Sequence, residues 1–318
     1  MRTPKRIIEI LNRKQAFIDS NRDKLEASVV KLQDKLLNDL LSEIIPELEI
    51  KDGVITDNTK NYRLLSGLDK IYKDFTAVSN SIITSQVVKV TSGLSEIGTE
   101  YFKLVLNEDM LTRFDKVVSA TVNKMNLKIG LKDGQSIKGG FLDSIIKDTS
   151  TSTNIKNYVS KSITGQVDSK EFIQGLSKLV TGNEKTGLLE RQYQRYAYDM
   201  FQQFDRSYNV SLAQEFDMKY FLYQGGLIED SRDFCVSHNN KVWSIDEAAD
   251  WDTWMPYMGE YPEGYEIKQK DIYEIPSYLG YPGYQPLIDF GGYNCRHGIG
   301  FISEELAYKL RPDLKGAE

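Results

Sequence analysis

Residues 188–216 read LLERQYQRYAYDMFQQFDRSYNVSLAQEF, without a glycine or a proline. Apolar and aromatic residues recur along the segment at spacings of three and four, which is the period of one face of an α-helix. These residues are Leu189, Tyr193, Ala197, Met200, Phe204 and Tyr208, with Tyr196 and Phe201 widening the stripe. The segment predicts a long amphipathic helix, and the aromatic stripe is better explained as core than as a cofactor site.

Earlier parts of the chain show the same helical period. The first stripe comprises Ile18, Leu25, Val29, Leu32, Leu36 and Leu40. Pro46 follows this stripe and is expected to end the helix. The second pattern begins near Tyr62 and comprises Leu68, Ile71, Phe75, Val78 and Ile82. Beyond Gly93 and Gly98, a further helix is expected from Tyr101 to about Val122. Long helices with few prolines predict either an extended arm or a compact bundle.

The composition changes near residue 215. Residues 1–215 contain 31 Lys/Arg and 28 Asp/Glu, a net charge of +3, whereas residues 216–318 contain 9 and 18, a net charge of −9. The second part also holds all three tryptophans and six of the eight prolines. We therefore expect a mainly α protein, with a helical arm or bundle over 1–215 and a compact α+β domain over 216–318.

Within 216–318, local signals predict a small number of elements. A strand is expected at Tyr220 to Gln224, before two glycines, and the return arm of a hairpin at KVWS, because the preceding Asn239-Asn240 tolerates positive φ. A short helix is expected near 245–254, and a final helix in SEELAYKL, capped by Ser303. Between them, 251–290 is a long loop rich in Tyr, Pro and Gly.

Several classes of protein are disfavoured. No apolar run reaches the roughly 20 residues that a membrane helix needs, and the N-terminus lacks a secretory pattern, so we expect synthesis in the cytoplasm and no membrane contact. The net charge of −6 argues against a dedicated nucleic-acid binder, although the first 215 residues permit weak, non-specific DNA contact. The H-E-x-x-H, P-loop and G-x-S-x-G motifs are absent, and we expect no enzymatic activity.

The chain contains two cysteines and two histidines, and they form two close pairs, Cys235-x-x-His238 and Cys295-x-His297. Thiolate and imidazole are preferred zinc ligands, so the four could hold one Zn²⁺. The two cysteines could instead form a disulfide, which a reducing cytoplasm disfavours. They could also be buried small side chains, with each histidine making a local hydrogen bond. The residues alone leave these three interpretations open.

Two segments around these pairs carry a family resemblance. The first runs from Asp230-Ser-Arg232-Asp-Phe-Cys235 to Asn240-Lys-Val-Trp243, and the second is Gly291-Gly-Tyr-Asn-Cys295-Arg296-His297. Together they resemble the phage head-morphogenesis family typified by the F protein of phage Mu, whose second segment ends in Asn-Cys-Arg-Cys. The resemblance covers about residues 180–302. The chain departs from the pattern where Gly292-Tyr293 replaces a frequent His-Pro and where His297 replaces the last cysteine.

The resemblance implies a structural role in a bacteriophage particle. A minor capsid protein of this kind is present in few copies at the portal vertex of the virion, contacts the portal and other capsid proteins, and acts in head assembly or DNA delivery. An enzyme or toxin-type effector carried in the head is the alternative. Asp230, Arg232 and Arg296 are expected to clamp the two segments together, because arginine's forked donors suit carboxylates and backbone carbonyls.

The long loop at 251–290 is expected to be held at its ends by the Cys/His pairs, since long irregular loops are uncommon unless functional or pinned. Its tyrosines would then offer contact area to a partner. They are Tyr257, Tyr261, Tyr265, Tyr273, Tyr278, Tyr281 and Tyr284.

Overall fold

The computed structural model describes residues 4–182, 186–253, 266, 283–292 and 295–316. The described chain is mainly α-helical, with long helices in its first part and a small sheet near its end, which confirms the predicted fold class. Packing groups the chain into two compact units. Unit 1 comprises Met1–Ser20, Val90–Leu127 and Tyr198–Glu318, and unit 2 comprises Asn21–Lys89 and Lys128–Ala197.

The helices account for most of the described residues. The long ones are α1 (Lys5–Ile44), α2 (Thr59–Val105) and α8 (Leu188–Glu215), and those of intermediate length are α4 (Phe114–Lys128), α6 (Ser150–Thr164) and α7 (Ser169–Thr181). The short ones are α3 (Glu108–Leu111), α5 (Phe141–Ile146), α9 (Asp233–His238), α10 (Ile245–Ala249), α11 (Pro286–Asp289) and α12 (Glu304–Leu310). None of the helices described has an apolar stretch long enough to cross a bilayer.

Helix α1 matches its predicted apolar stripe, and each of the six predicted residues is at most 4% exposed. Pro46 lies in a short 3₁₀ turn, Ile45–Glu47, immediately after the helix. The α8 stripe is also buried at Leu189, Met200 and Tyr208. These positions confirm the two helices that the periodicity indicated most clearly.

Helix α2 is longer than expected, because Gly93 and Gly98 do not interrupt it. A Cβ at Gly98 would lie 2.5 Å from Cε1 of Tyr208, and one at Gly93 would overlap the ring of Phe17. Both glycines thus admit an aromatic ring against the helix backbone. The predicted stripe was wrong at Val78 and Ile82, which are 39% and 37% exposed.

Two short hairpins in unit 2 connect helices. The first pairs β1 (Ile50–Lys51) with β2 (Val54–Ile55), and the second pairs β3 (Leu131–Lys132) with β4 (Gln135–Ser136), both antiparallel. Asp168 caps α7 by accepting hydrogen bonds from the backbone amides of Lys170 and Glu171. Such caps satisfy amides that the first helical turn leaves without partners.

The sheet of unit 1 has three antiparallel strands in the order β6-β5-β7. Strand β5 (Tyr220–Gln224) lies between β6 (Lys241–Ser244) and β7 (Gly298–Ile302), and its Tyr223 pairs with Lys241 on one side and with Ile299 on the other. The predicted pairing of β5 with KVWS is confirmed, and Asn240 has the expected positive φ of 60°. In the chain, helix α9 follows β5 and precedes β6. Strand β7 was not predicted from the sequence.

The end of the chain follows its local signals. Ser244 and Glu247 form a reciprocal capping box at α10, and the Ser303 hydroxyl accepts a hydrogen bond from the Leu306 amide at α12. Residues 216–318 lie in unit 1 together with three earlier segments of the chain. The boundary at residue 215 therefore stays a prediction.

Candidate metal centre

The two segments singled out in the sequence meet beside the central strand of the sheet. Cys235 lies on α9, directly after β5 in the chain, whereas Cys295 and His297 lie in the stretch that leads into β7. Because β5 and β7 are paired neighbours, the start of β7 is brought next to the end of β5. The sheet register therefore brings together cysteines that are 60 residues apart in sequence.

Three of the four predicted ligands form one group. The donor atoms of Cys235, Cys295 and His297 lie within 4.8 Å of one another. The two Sγ atoms are 3.7 Å apart, and Cys295 Sγ is 3.8 Å from Nδ1 of His297. Two thiolates bound to one zinc at about 2.3 Å with tetrahedral angles would be about 3.8 Å apart, and a thiolate and an imidazole nitrogen about 3.6 Å. The group can therefore hold a metal ion with little movement.

The observed sulfur separation does not correspond to a disulfide. A disulfide bond is about 2.05 Å long, and the 3.7 Å between these sulfurs is a non-bonded contact. Both side chains are 3% exposed, and His297 is 2% exposed. The cysteines are thus two buried thiols in contact with each other.

The two thiols differ in acidity. The hydrogen bond to Cys295, together with burial, raises the pKa of Cys235 well above its ordinary value. Burial opposes ionisation of Cys295 as well, but hydrogen bonds from Cys235 and His297 and the nearby charge of Arg206 hold its pKa well below the ordinary value. The two thiols therefore titrate as a coupled pair, in which ionisation is favoured at Cys295.

Tyr223 is a fourth polar group at the centre, and no sequence pattern had indicated it. Its hydroxyl is 3.6 Å from Sγ of Cys235 and 3.7 Å from Sγ of Cys295. Its ring stacks on that of His297, with centroids 5.0 Å apart and planes within 10° of parallel. Burial raises the pKa of this tyrosine well above 10.

Arg206, on α8, holds the second segment by its backbone. Its guanidinium donates hydrogen bonds to the carbonyl oxygens of Cys295 at 2.6 Å, His297 at 2.7 Å and Ile288 at 2.9 Å. The same group lies over the ring of Phe290, 4.3 Å from its centroid. Sequence reasoning missed Arg206, because a charged residue inside an amphipathic helix is usually solvent-exposed. Arg206 is two residues from both Phe204 and Tyr208, which places it on the opposite face of α8 from the predicted stripe, so no local pattern marked it as buried.

Two glycines and one strained residue shape the space around the sulfurs. A Cβ at Gly291 would lie 2.7 Å from Sγ of Cys235, and a Cβ at Gly225 would lie 2.7 Å from the ring of His297. Phe290 is fully buried with a φ of +47°, a conformation that is uncommon for an aromatic residue. Strained backbone of this kind tends to occur at functional sites, where surrounding contacts enforce it.

The fourth predicted ligand, His238, lies outside the group of three. Its Nδ1 is 2.7 Å from the carbonyl oxygen of Phe234, and its ring stacks between Phe234 and Trp243 at centroid distances of 4.0 and 4.5 Å. Burial lowers the pKa of His238 to about 3, so the ring is neutral at physiological pH. It occupies the position of a core histidine.

The predicted clamp residues take different positions. Asp230 and Arg296 are exposed, and in the part of the chain that the structure describes neither side chain makes a hydrogen bond or an ion pair. Arg232 is half-buried at the start of α9, and its charge favours ionisation of Cys235. Arg232 and Arg296 were the arginines expected to hold backbone carbonyls. Arg206 makes such contacts instead. Most of the 251–290 loop lies outside the described residues. Of its seven tyrosines, Tyr284 alone falls within them.

The arrangement suits a closed structural site better than a reactive one. A thiolate beside an imidazole resembles a nucleophile and its base. Here, however, Cys235, Cys295 and His297 are each at most 3% exposed, which leaves little access for a substrate. No family model, curated protein or solved structure matched the chain in comparisons of its sequence and fold.

Proposed function

We propose that this chain is a minor head protein of a bacteriophage, of the kind typified by the F protein of phage Mu. One observation supports this proposal above the others. The two segments that resemble the family signature lie far apart in sequence, yet they meet at one buried cluster of Cys235, Cys295 and His297. A shared centre gives these segments a common structural purpose.

The metal in this centre is proposed to be Zn²⁺. Two thiolates and an imidazole are its preferred ligands, and structural zinc sites are closed and four-coordinate. The separations of 3.7 and 3.8 Å among the donor atoms match that geometry. Arg206 would orient two of the ligands through their backbone carbonyls, which is the role of an outer-shell partner.

The proposed zinc centre has a direct test. The full-length protein, purified without chelators, is expected to contain about one zinc per chain by elemental analysis. Cys295→Ser is expected to abolish this content, whereas Ser95→Ala, which alters a helical hydroxyl in unit 1, is expected to retain it. Wild-type protein that binds no zinc when titrated from the metal-free state would contradict the centre.

The centre would serve a structural role in the particle. It would fasten the two signature segments, and with them both ends of the Tyr-rich loop, while the long helices form an arm or bundle at the portal vertex. The portal and other capsid proteins are the proposed partners, with weak, non-specific DNA contact as a secondary possibility. The protein would be made in the host cytoplasm and would act, without enzymatic activity, in head assembly or DNA delivery.

Particle composition tests this role. Virions purified from a culture that produces this chain are expected to contain it in few copies relative to the major capsid protein. Cross-linking mass spectrometry of intact particles is expected to join it to the portal. Its absence from particles purified on a density gradient would overturn the proposal, and so would cross-links confined to host proteins.

A further inference from the structure

The candidate centre has three ligands that are usual for zinc, and a closed tetrahedral site needs four. His238, the remaining histidine, is engaged with the carbonyl of Phe234 and stacked between two aromatic rings. Both cysteines of the chain are already used. In the part of the chain that the structure describes, no Asp or Glu joins the group either, so among these residues the fourth position falls to water or to a less common ligand.

The Tyr223 hydroxyl lies where a fourth ligand would be. It is 3.6 and 3.7 Å from the two sulfurs, which are themselves 3.7 Å apart, so these three atoms form a nearly equilateral triangle. In a tetrahedral site with Zn–O near 2.1 Å and Zn–S near 2.3 Å, an oxygen and a sulfur would be about 3.6 Å apart. The triangle has the dimensions of one face of such a tetrahedron.

Arg206 supplies an independent observation about charge. It is 3% exposed, and within the described residues it forms no ion pair with a carboxylate. A buried cation without a negative partner is strongly unfavourable, so the region around it should carry a compensating charge. Its hydrogen bonds to the carbonyls of Cys295 and His297 place it beside the centre.

Charge balance then distinguishes two states of the tyrosine. When zinc binds, two thiolates neutralise the ion, and a neutral phenol would leave the arginine uncompensated. A phenolate restores neutrality to the buried group as a whole.

We propose that the Tyr223 hydroxyl is the fourth ligand of this centre and binds the metal as a phenolate. This inference rests on the zinc centre proposed above. Zinc binding forms a bond from the metal to each of the two sulfurs, to the His297 imidazole and to the Tyr223 oxygen. The proton of the Tyr223 hydroxyl and any proton that either thiol still carries are released to solvent.

The experiment titrates the metal-free, full-length protein with Zn²⁺ and, separately, with Co²⁺. Zinc binding by the wild type is expected to produce the ultraviolet difference spectrum of one ionised tyrosine. Tyr223→Phe is expected to bind zinc at least about 10-fold more weakly, without that signal, and to alter the cobalt ligand-field spectrum because water replaces a protein ligand. Tyr220→Phe is the matched control, since Tyr220 lies on the same strand and its hydroxyl instead contacts that of Tyr308.

The outcomes separate the two proposals. If the wild type binds no zinc, the zinc centre and this inference both fail. If it binds one zinc without an ionised-tyrosine signal, the zinc centre stands and the phenolate ligand is overturned. This readout needs no variant to fold. Unchanged affinity and an unchanged cobalt spectrum in Tyr223→Phe would overturn the inference independently.

Discussion

At the scale of single residues, the site requires two glycines as well as its polar side chains. Gly291 lies against both sulfurs, and Gly225 lies against the His297 ring. Neither glycine has a positive φ, so each is needed for space and not for backbone conformation. Close packing of this kind leaves little room for one additional methyl group.

We expect Gly291→Ala to displace Cys235, because the new Cβ would lie 2.7 Å from its Sγ. Zinc affinity, measured by competition with a chromophoric chelator, should fall about 10- to 100-fold. Gly298→Ala is the matched control, since a Cβ there meets nothing within 4 Å. Equal affinities of the two variants would show that the Gly291 position tolerates a side chain.

His238 predicts how stability depends on pH. Its folded-state pKa of about 3 is below the unfolded value of about 6.5, so between these values the unfolded chain binds a proton that the folded chain does not. The free energy of unfolding of the metal-free protein should therefore fall as pH decreases from 6.5 towards 3, by up to about 1.4 kcal/mol per pH unit from this group.

Urea denaturation at several pH values measures this dependence. His238→Asn keeps a donor able to reach the Phe234 carbonyl but does not titrate, so its stability should change less over the same range. Identical pH profiles for the variant and the wild type would assign the acid sensitivity to other groups.

At the scale of elements, α2 shows how a helix accommodates glycines in its interior. Glycine disfavours a helix by roughly 1 kcal/mol relative to alanine. Gly93 and Gly98 nevertheless lie within α2, because the rings of Phe17 and Tyr208 occupy the space that a Cβ would need. Packing in unit 1 thus outweighs the local preference that suggested a break.

The glycines of α2 should respond to alanine in opposite directions. Gly98→Ala is expected to destabilise the protein by about 1–3 kcal/mol through overlap with the Tyr208 ring. Gly67→Ala, on the same helix, is expected to stabilise it by about 0.5–1 kcal/mol, since its Cβ would meet nothing within 4 Å. Urea-induced unfolding followed by circular dichroism measures both changes. Stabilisation by Gly98→Ala would contradict the packing explanation.

At the scale of the whole molecule, the helices and the sheet of unit 1 share one core. Tyr101, on α2, donates a hydrogen bond from its hydroxyl to the Phe301 carbonyl of β7 at 2.9 Å. Lys14 of α1 and Asp205 of α8 form a buried ion pair at 3.1 Å. That residues 216–318 form an independent domain stays a prediction, which limited proteolysis can check.

Removal of zinc should lower the thermal stability of the full chain. A metal that binds only the folded state stabilises it by about 2.7 kcal/mol when its free concentration is 100 times the dissociation constant. Calorimetry with and without a chelator should therefore show a lower unfolding temperature in the chelated wild type. Cys295→Ser should unfold at the same temperature in both conditions, and a chelator effect of equal size in this variant would assign the metal to another site.

Local patterns in the sequence determined helices α1 and α8, the cap at Ser303 and three members of the Cys/His cluster. The stripes of α1 and α8, the turn at Asn240 and the Ser303 cap follow from interactions within a few residues, which a linear pattern records. Only the tertiary structure separated His238 from the other three predicted ligands and added Tyr223 and Arg206. Their roles depend on the pairing of β5 with β7 and on the packing of α8. Such contacts join residues up to 91 positions apart, so no local period could reveal them.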